Sequence, residues 1–234
     1  MKKYALWFVF LAGALAQQDL SSKVFLFPKE GATAHVILNP ETAKPLDKLT
    51  VCARSYTELN REHPLFSLAL KASGKDNMFL IFPRPPNACS VYINQEEIRI
   101  KIDTEVLDWK HTCVSWDSET GVIELWVNGK LYPRRVSNKG FTIPVPYSII
   151  LGQEQDSFGG GFDAKQSFVG ELSDVHMWDY VLTPENIQKA WNNDFSGSLI
   201  SWTSLKYEAK GNALVLPKRQ CRYLGSECPI HDSC

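Results

Sequence analysis

Short apolar-rich runs alternate with turn residues along nearly all of the chain after Ser21. Val24 to Phe27, Ala34 to Leu38, Leu49 to Arg54 and Leu65 to Leu70 come first. Met78 to Phe82, Ser90 to Ile93, Glu97 to Ile102 and His111 to Trp116 follow. Gly, Pro, Asn and Asp lie between them, so each run reads as a strand bounded by a turn. Val122 to Val127 leads directly into Asn128-Gly129, the strongest short hairpin signal. Many short strands at regular spacing predict an all-β protein, a sandwich or barrel of antiparallel sheets. One segment departs from this pattern. Thr183-Pro184-Glu185-Asn186 offers a cap, a proline at the first helical position and an acid in the first turn. Ile187, Ala190 and Trp191 then form one apolar stripe, which predicts a single short helix laid on a sheet.

The N-terminus has a different pattern. Lys2-Lys3 precede an apolar run from Tyr4 to Leu15, and Ala14-Leu15-Ala16 closes it. Charged, then apolar, then small is the order of a secretory leader, expected over residues 1–16 with Gln17 as the first mature residue. The run is too short to span a hydrocarbon layer of about 30 Å, so a secreted protein not embedded in a membrane is expected. Loss of Lys2 and Lys3 leaves 23 of the 25 basic residues against 26 acidic ones, a net charge of about −3. Nucleic-acid binding by bulk charge is thereby disfavoured. No Asn-x-Ser/Thr acceptor occurs.

Six cysteines in a secreted chain point to disulfides. Cys52 and Cys113 both sit in apolar strands, where a bridge could pin two strands together. Cys89 follows a proline-rich loop, and Cys221, Cys228 and Cys234 crowd the C-terminus. These four allow three pairings, and the tail could also link chains or clip a zinc ion.

The densest chemistry lies between the strand Ser148 to Leu151 and the strand Phe168 to Trp178. There Glu154, Asp156 and Asp163 are packed with Gln153, Gln155 and Gln166 around Gly159, Gly160 and Gly161. Residues two apart on an extended chain point the same way, so Glu154 and Asp156 share a face. A hard cation between them would remove their repulsion. Oxygen donors without His or Cys suit calcium rather than zinc or copper. The glycines let the loop turn back, bringing Asp163 and Gln166 to the same ions. By itself the stretch also fits a solvated acidic turn.

Several motifs in order resemble one family. His111-Thr112-Cys113-Val114-Ser115-Trp116 is similar to the H-x-C-x-[ST]-W signature of the pentraxins, and Gly152 to Phe162 resembles their calcium loop. Val169 to Trp178, Phe25 to Glu30 and Leu205 to Glu208 are similar to further family segments. The resemblance covers about Leu20 to Cys221. It divides the chain into a leader (1–16), a pentraxin domain (17–221) and a Cys-containing extension (222–234). It implies a flattened antiparallel jelly-roll sandwich of the lectin-like class with one short helix. It also implies a Cys52–Cys113 disulfide and a cyclic homopentamer, which the tail cysteines could link covalently.

The resemblance implies two calcium ions per subunit. Asp76 and Asn77 match an Asp-Asn pair that serves one ion from a second loop. Glu154 and Asp156 match bridging carboxylates, Gln155 a backbone-carbonyl ligand, Asp163 a further acid and Gln166 the outer amide ligand of the second ion. It implies a secreted, calcium-dependent pattern-recognition protein of acute-phase, innate-immune type, binding phosphocholine on microbial or damaged-cell surfaces, with complement as a family partner. Phe82 matches an aromatic wall and Glu97 an acid beside the choline ammonium. Alone, Phe82 reads as the apolar end of a strand and Glu97 as a solvated strand residue. Tyr92 varies between small and aromatic in the family and would narrow the pocket toward phosphoethanolamine. Acidic carbohydrate and fibrils are the other ligand classes within this reading. Arg84-Pro85-Pro86-Asn87-Ala88-Cys89, on the loop beside the pocket, departs from the family pattern. Glu154 and Asp156 could pose as a glycosidase pair. Asp76-Asn77 explains them better as metal ligands, and the chain lacks Gly-x-Ser-x-Gly, His-Glu-x-x-His and phosphate-loop motifs. No enzyme is expected.

Overall fold

A computed structural model describes residues 17–104 and 106–219. The expected leader and Cys221, Cys228 and Cys234 lie outside the described residues. The strands are β1 (Lys23–Phe27), β2 (His35–Leu38), β3 (Lys48–Tyr56), β4 (Phe66–Leu70), β5 (Phe79–Arg84), β6 (Ala88–Ile93), β7 (Glu96–Lys101), β8 (Lys110–Asp117), β9 (Val122–Val127), β10 (Lys130–Leu131), β11 (Arg135–Val136), β12 (Tyr147–Leu151) and β13 (Gly170–Trp178). Helix α1 (Pro184–Trp191) follows, and then β14 (Tyr207–Lys210) and β15 (Leu214–Pro217).

They form two antiparallel sheets. One runs β10-β9-β8-β3-β13-β1-β15, with β11 also on β9; the other runs β14-β2-β12-β4-β5-β6-β7. Period-two alternation sends one face of each strand into a shared core. Phe25, Phe27, Val51, Val114, Trp116 and Leu172 meet Phe66, Leu68, Phe79, Ile81, Val91 and Ile149 there. The jelly-roll sandwich follows from this alternation.

Strand β13 keeps its alternation only through a bulge. Its register against β3 shifts between Ser173 and His176, where Asp174 takes φ 50°. The extra residue puts Val175 and Met177 in the core, while the Asp174 carboxylate meets Arg54 Nε at 3.2 Å and Lys218 Nζ.

The helix covers the outer face of the first sheet. Thr183 caps it by accepting a hydrogen bond from the Asn186 N–H. Ile187 and Ala190 pack with Trp126, Trp178 and Leu182 over Cys52 and Cys113. Burying a side chain such as Ile187 contributes about 1.5–3 kcal/mol. Trp191 is only half-buried and lies over the hairpin turn, where a Cβ on Gly129 would come within 2.7 Å of its ring. Cys52 stands opposite Cys113 in register, and a disulfide joins them. The bridge therefore lies beneath the helix rather than between the sheets.

Candidate metal centre

Three carboxylates from two loops converge on the outer face of the second sheet. Asp76, Glu154 and Asp156 each offer an oxygen, and these atoms all lie within 4.8 Å of one another. Glu154 is buried, Asp76 half-buried and Asp156 exposed.

The main loop is positioned by its amides. At Gly152, φ is +85° and a Cβ would fall 2.1 Å from Phe27 Cε1, so only glycine lets the chain leave β12 there. Gln153 turns inward and donates to the carbonyls of Gly31 at 2.7 Å and Ala34 at 2.9 Å. Gln155 also turns inward. Its Nε2 donates to the carbonyls of Ser67 at 3.0 Å and Ser148 at 3.2 Å, and its Oε1 accepts from the Gly159 N–H at 2.8 Å. With the side chain so engaged, the backbone carbonyl is the group Gln155 has left for a metal. Glu154 and Asp156, offset by one, meet Asp76 instead.

The glycine run closes the far side. Ser157 and Gly160 exchange backbone hydrogen bonds of 3.1 and 3.0 Å, and the Phe168 N–H donates to the Gly152 carbonyl at 3.0 Å. Asp163 is exposed and accepts from the Lys165 N–H at 2.9 Å, capping a single turn over Ala164–Gln166. Gln166, half-buried, ends that turn and donates its backbone N–H to the Asp163 carbonyl at 3.0 Å.

The second loop is held by a residue that local sequence patterns do not single out. Gln95 accepts from the Asn77 N–H at 2.6 Å and donates to Asp76 Oδ1 at 2.8 Å and to the Gly74 carbonyl at 2.7 Å. It sits with Asn94 in the two-residue β6–β7 turn, at φ 71° and 48°. The Asn94-Gln95 pair between two strands was the available signal for a hairpin there.

The electrostatics point to a cation. Burial pushes the Glu154 carboxyl up to about 7. The charge of Asp156, and more weakly those of Asp76 and Asp163, add to this, while Asn77 opposes it. Asp156 is raised by burial and by the charges of Asp76 and Asp163. Asn77 Oδ1 and Glu154 Oε2 are buried with no hydrogen-bond donor. A buried acceptor left unmatched costs about 1–3 kcal/mol. A metal ion would satisfy both oxygens and the clustered charge, and an all-oxygen donor set fits a hard cation. Cys52, His111 and Cys113 also lie within ligating distance of one another, but both sulfurs are in the disulfide.

The three expected head-group residues lie together on the same outer face. Ser67, which anchors the loop, pairs with Leu80; Leu80 pairs with Tyr92, and Tyr92 with Glu97, in one row across β4 to β7. Phe82 is two residues along from Leu80, only 2% exposed, with its ring edge-on to Tyr92 at 6.4 Å. Above it lies Arg84, its Cζ 5.3 Å from the Phe82 centroid. Arg84 Nε is 2.8 Å from Ser90 Oγ and 3.1 Å from Glu97 Oε1, and Nη2 donates to the Tyr92 hydroxyl at 3.1 Å. Its Nη1 pairs with Glu62. Burial works to raise the Glu97 carboxyl, but the hydrogen bond from Ser90 and the charge of Arg84 hold it below its ordinary value. Burial is the main cause raising the Tyr92 hydroxyl.

Two packed antiparallel sheets, a helix on one outer face and a cluster of carboxylates able to hold a metal on the other define a lectin-like sandwich. The pattern that describes the Pentaxin family matches residues 23–217, and the chain belongs to that family, the pentraxins. It is 60% identical over 236 residues to C-reactive protein of Xenopus laevis, covering 100% of this chain and 99% of that one. It is 43% identical over 223 residues to serum amyloid P-component of Mus musculus, covering 93% and 99%. Among solved structures, a native heptameric SAP-like pentraxin from Limulus polyphemus superposes with a TM-score of 0.77 at 26% identity, covering 87% of this chain and 98% of that one.

Proposed function

We propose that this pentraxin is a secreted, calcium-dependent pattern-recognition protein of innate-immune, acute-phase type. It binds phosphocholine-bearing surfaces of microbes or damaged cells and performs no catalysis. The observation that carries this reading is the convergence of Asp76, Glu154 and Asp156 around buried oxygens that no hydrogen-bond donor satisfies. Asp76, Asn77 and the Gln155 carbonyl would hold one calcium ion, and Gln166 the second. Glu154 and Asp156 would be shared by the two, with Asp163 beside them. Ions so held supply open coordination positions for phosphate oxygens. Phe82 and Glu97 would be the ring and the acid of the adjoining head-group subsite, where a cation on an open aromatic face gains ~0.5–2 kcal/mol.

A second reading is favoured by the Tyr92 hydroxyl, which is hydrogen-bonded at the mouth of this subsite. It narrows the pocket toward the smaller phosphoethanolamine group. The related serum amyloid P-component and the heptameric Limulus protein support an extracellular oligomer; the family resemblance makes it a cyclic homopentamer, with the tail cysteines as candidate inter-subunit links. Complement is the proposed effector partner.

Calorimetric titration of the protein with phosphocholine, in calcium and in chelator, tests the proposal. Binding in calcium alone is expected. Equal binding in chelator, or none in calcium, would overturn it.

A further inference from the structure

Arg84 makes more contacts in the head-group subsite than any residue assigned to it. Its guanidinium lies over the Phe82 ring, bonds Ser90, Glu97 and Tyr92, and is held from the far side by Glu62. These are the aromatic face and the carboxylate that a ligand's cation needs. We infer that Arg84 is the specificity-determining residue of this subsite: its own cation occupies the place of the head-group ammonium. This inference rests on the calcium-phosphate reading above.

The chemistry is one of competition. A guanidinium stacked on an aromatic ring with its N–H groups on a carboxylate makes the same contacts as a bound cation and makes them within the chain. Phe82 is covered, so a quaternary ammonium gains ring contact only by displacing Arg84. A quaternary nitrogen has no N–H and cannot replace the hydrogen bonds that Arg84 gives to Glu97 and Tyr92. A primary ammonium carries three donors and can replace part of them. The position explains how Arg84 reaches all four partners. It ends β5 on the same face as Phe82, and Ser90, which pairs with Phe82, and Tyr92 present that face from β6. Phosphate binding at the ions is untouched. The ligand is thus recognised mainly by its phosphate, and choline adds little.

The test measures calcium-dependent binding of phosphocholine and methyl phosphate by the full chain and by Arg84→Gln. Glu62→Gln, which loosens Arg84 without removing it, is the second variant. The native protein should bind the two ligands within about threefold of each other. Arg84→Gln should tighten phosphocholine by about tenfold and leave methyl phosphate unchanged, the size of one freed cation site. Glu62→Gln should shift the same ratio in the same direction and by less. A native preference for phosphocholine of about tenfold or more, or an unchanged ratio in Arg84→Gln, would overturn the inference while leaving the calcium-phosphate reading intact. Failure of every form to bind methyl phosphate in calcium would overturn both.

Discussion

Gln155 hangs from Ser67: its amide nitrogen donates to the Ser67 carbonyl at 3.0 Å while its amide oxygen takes the Gly159 N–H at 2.8 Å. One side chain thus ties the acidic loop to strand β4 and to the glycine run. Gln155→Leu keeps the bulk and removes both ends of the link, leaving the buried Ser67 carbonyl without its amide donor and releasing the exposed Gly159 N–H to solvent. A loss of about 1–3 kcal/mol is expected in denaturant unfolding. Calcium affinity should fall at least about tenfold, because the carboxylates on either side lose their common support.

Glu154→Gln should act in opposite directions with and without calcium. In chelator, the Glu154 carboxyl is raised from 4.5 to about 7, mainly by burial and the charge of Asp156. The folded state therefore holds a proton that the unfolded chain has released between those values. This contribution is fully present at low pH and is lost as pH rises through about 7. The variant should thus unfold at a higher temperature than the native protein at pH 8 in chelator, with the gap closing near pH 4.5. In calcium the order reverses, since the variant lacks a charged ligand. Thermal melts at both pH values, with and without calcium, check this.

Acid should destabilise the fold through its buried histidines. Burial pushes His63 down to about 4, His176 to about 4 and His111 to about 3, from 6.5. The unfolded chain binds these protons first as pH falls. The stability of the neutral rings is therefore intact above 6.5 and lost on the way to about 4. His63, whose Nδ1 lies 2.9 Å from the Arg61 carbonyl, should account for up to about 3 kcal/mol of that loss. In His63→Gln the fall in stability between pH 7 and pH 5 should be shallower, as read by urea midpoints.

Gly152→Ala tests the route by which the loop leaves the sheet. The added methyl meets Phe27 Cε1 at 2.1 Å, and φ of +85° is unfavourable for alanine. A loss of about 2–4 kcal/mol is expected from overpacking and backbone strain together. Phe27→Leu in the same chain should recover part of it, which a purely conformational cost would not allow.

Removing the Cys52–Cys113 bridge should cost about 4 kcal/mol by chain entropy for a separation of 61 residues. The bridge lies beneath α1, on the sheet that does not carry the acidic loop. Cys52→Ala/Cys113→Ala should therefore lower the melting temperature while leaving calcium affinity within about twofold, since the two sites share no contacts.

The strands, the hairpin at Asn128-Gly129 and the helix behind Thr183-Pro184 were legible because each is written locally, in alternation, turn chemistry or a cap. The short edge strands β14 and β15 were not. Leu214–Pro217 is exposed for most of its length and becomes a strand only by pairing with β1, far away in the sequence. The acidic loop announced itself through the spacing of Glu154 and Asp156. The supports of that loop did not, because Gln153, Gln155 and Gln95 act through hydrogen bonds to distant backbone. Arg84 was read only as the start of an unusual loop, Arg84 to Cys89, whereas it ends the strand that bears Phe82. Its grip on Glu97 needed the register of three strands.

The proposed metal centre and the proposed head-group subsite draw on different parts of the chain. Asp76, Glu154 and Asp156 come together from two loops, whereas Phe82, Arg84, Tyr92 and Glu97 lie on β5 to β7, at one end of their sheet. On the proposed function, the grip on the shared part of a ligand would be separable from the reading of its distinguishing part. Substitutions along the sheet end would then redirect the protein among phosphorylated surfaces without rebuilding the anchor, so that a lineage would change its targets by small edits to one rim.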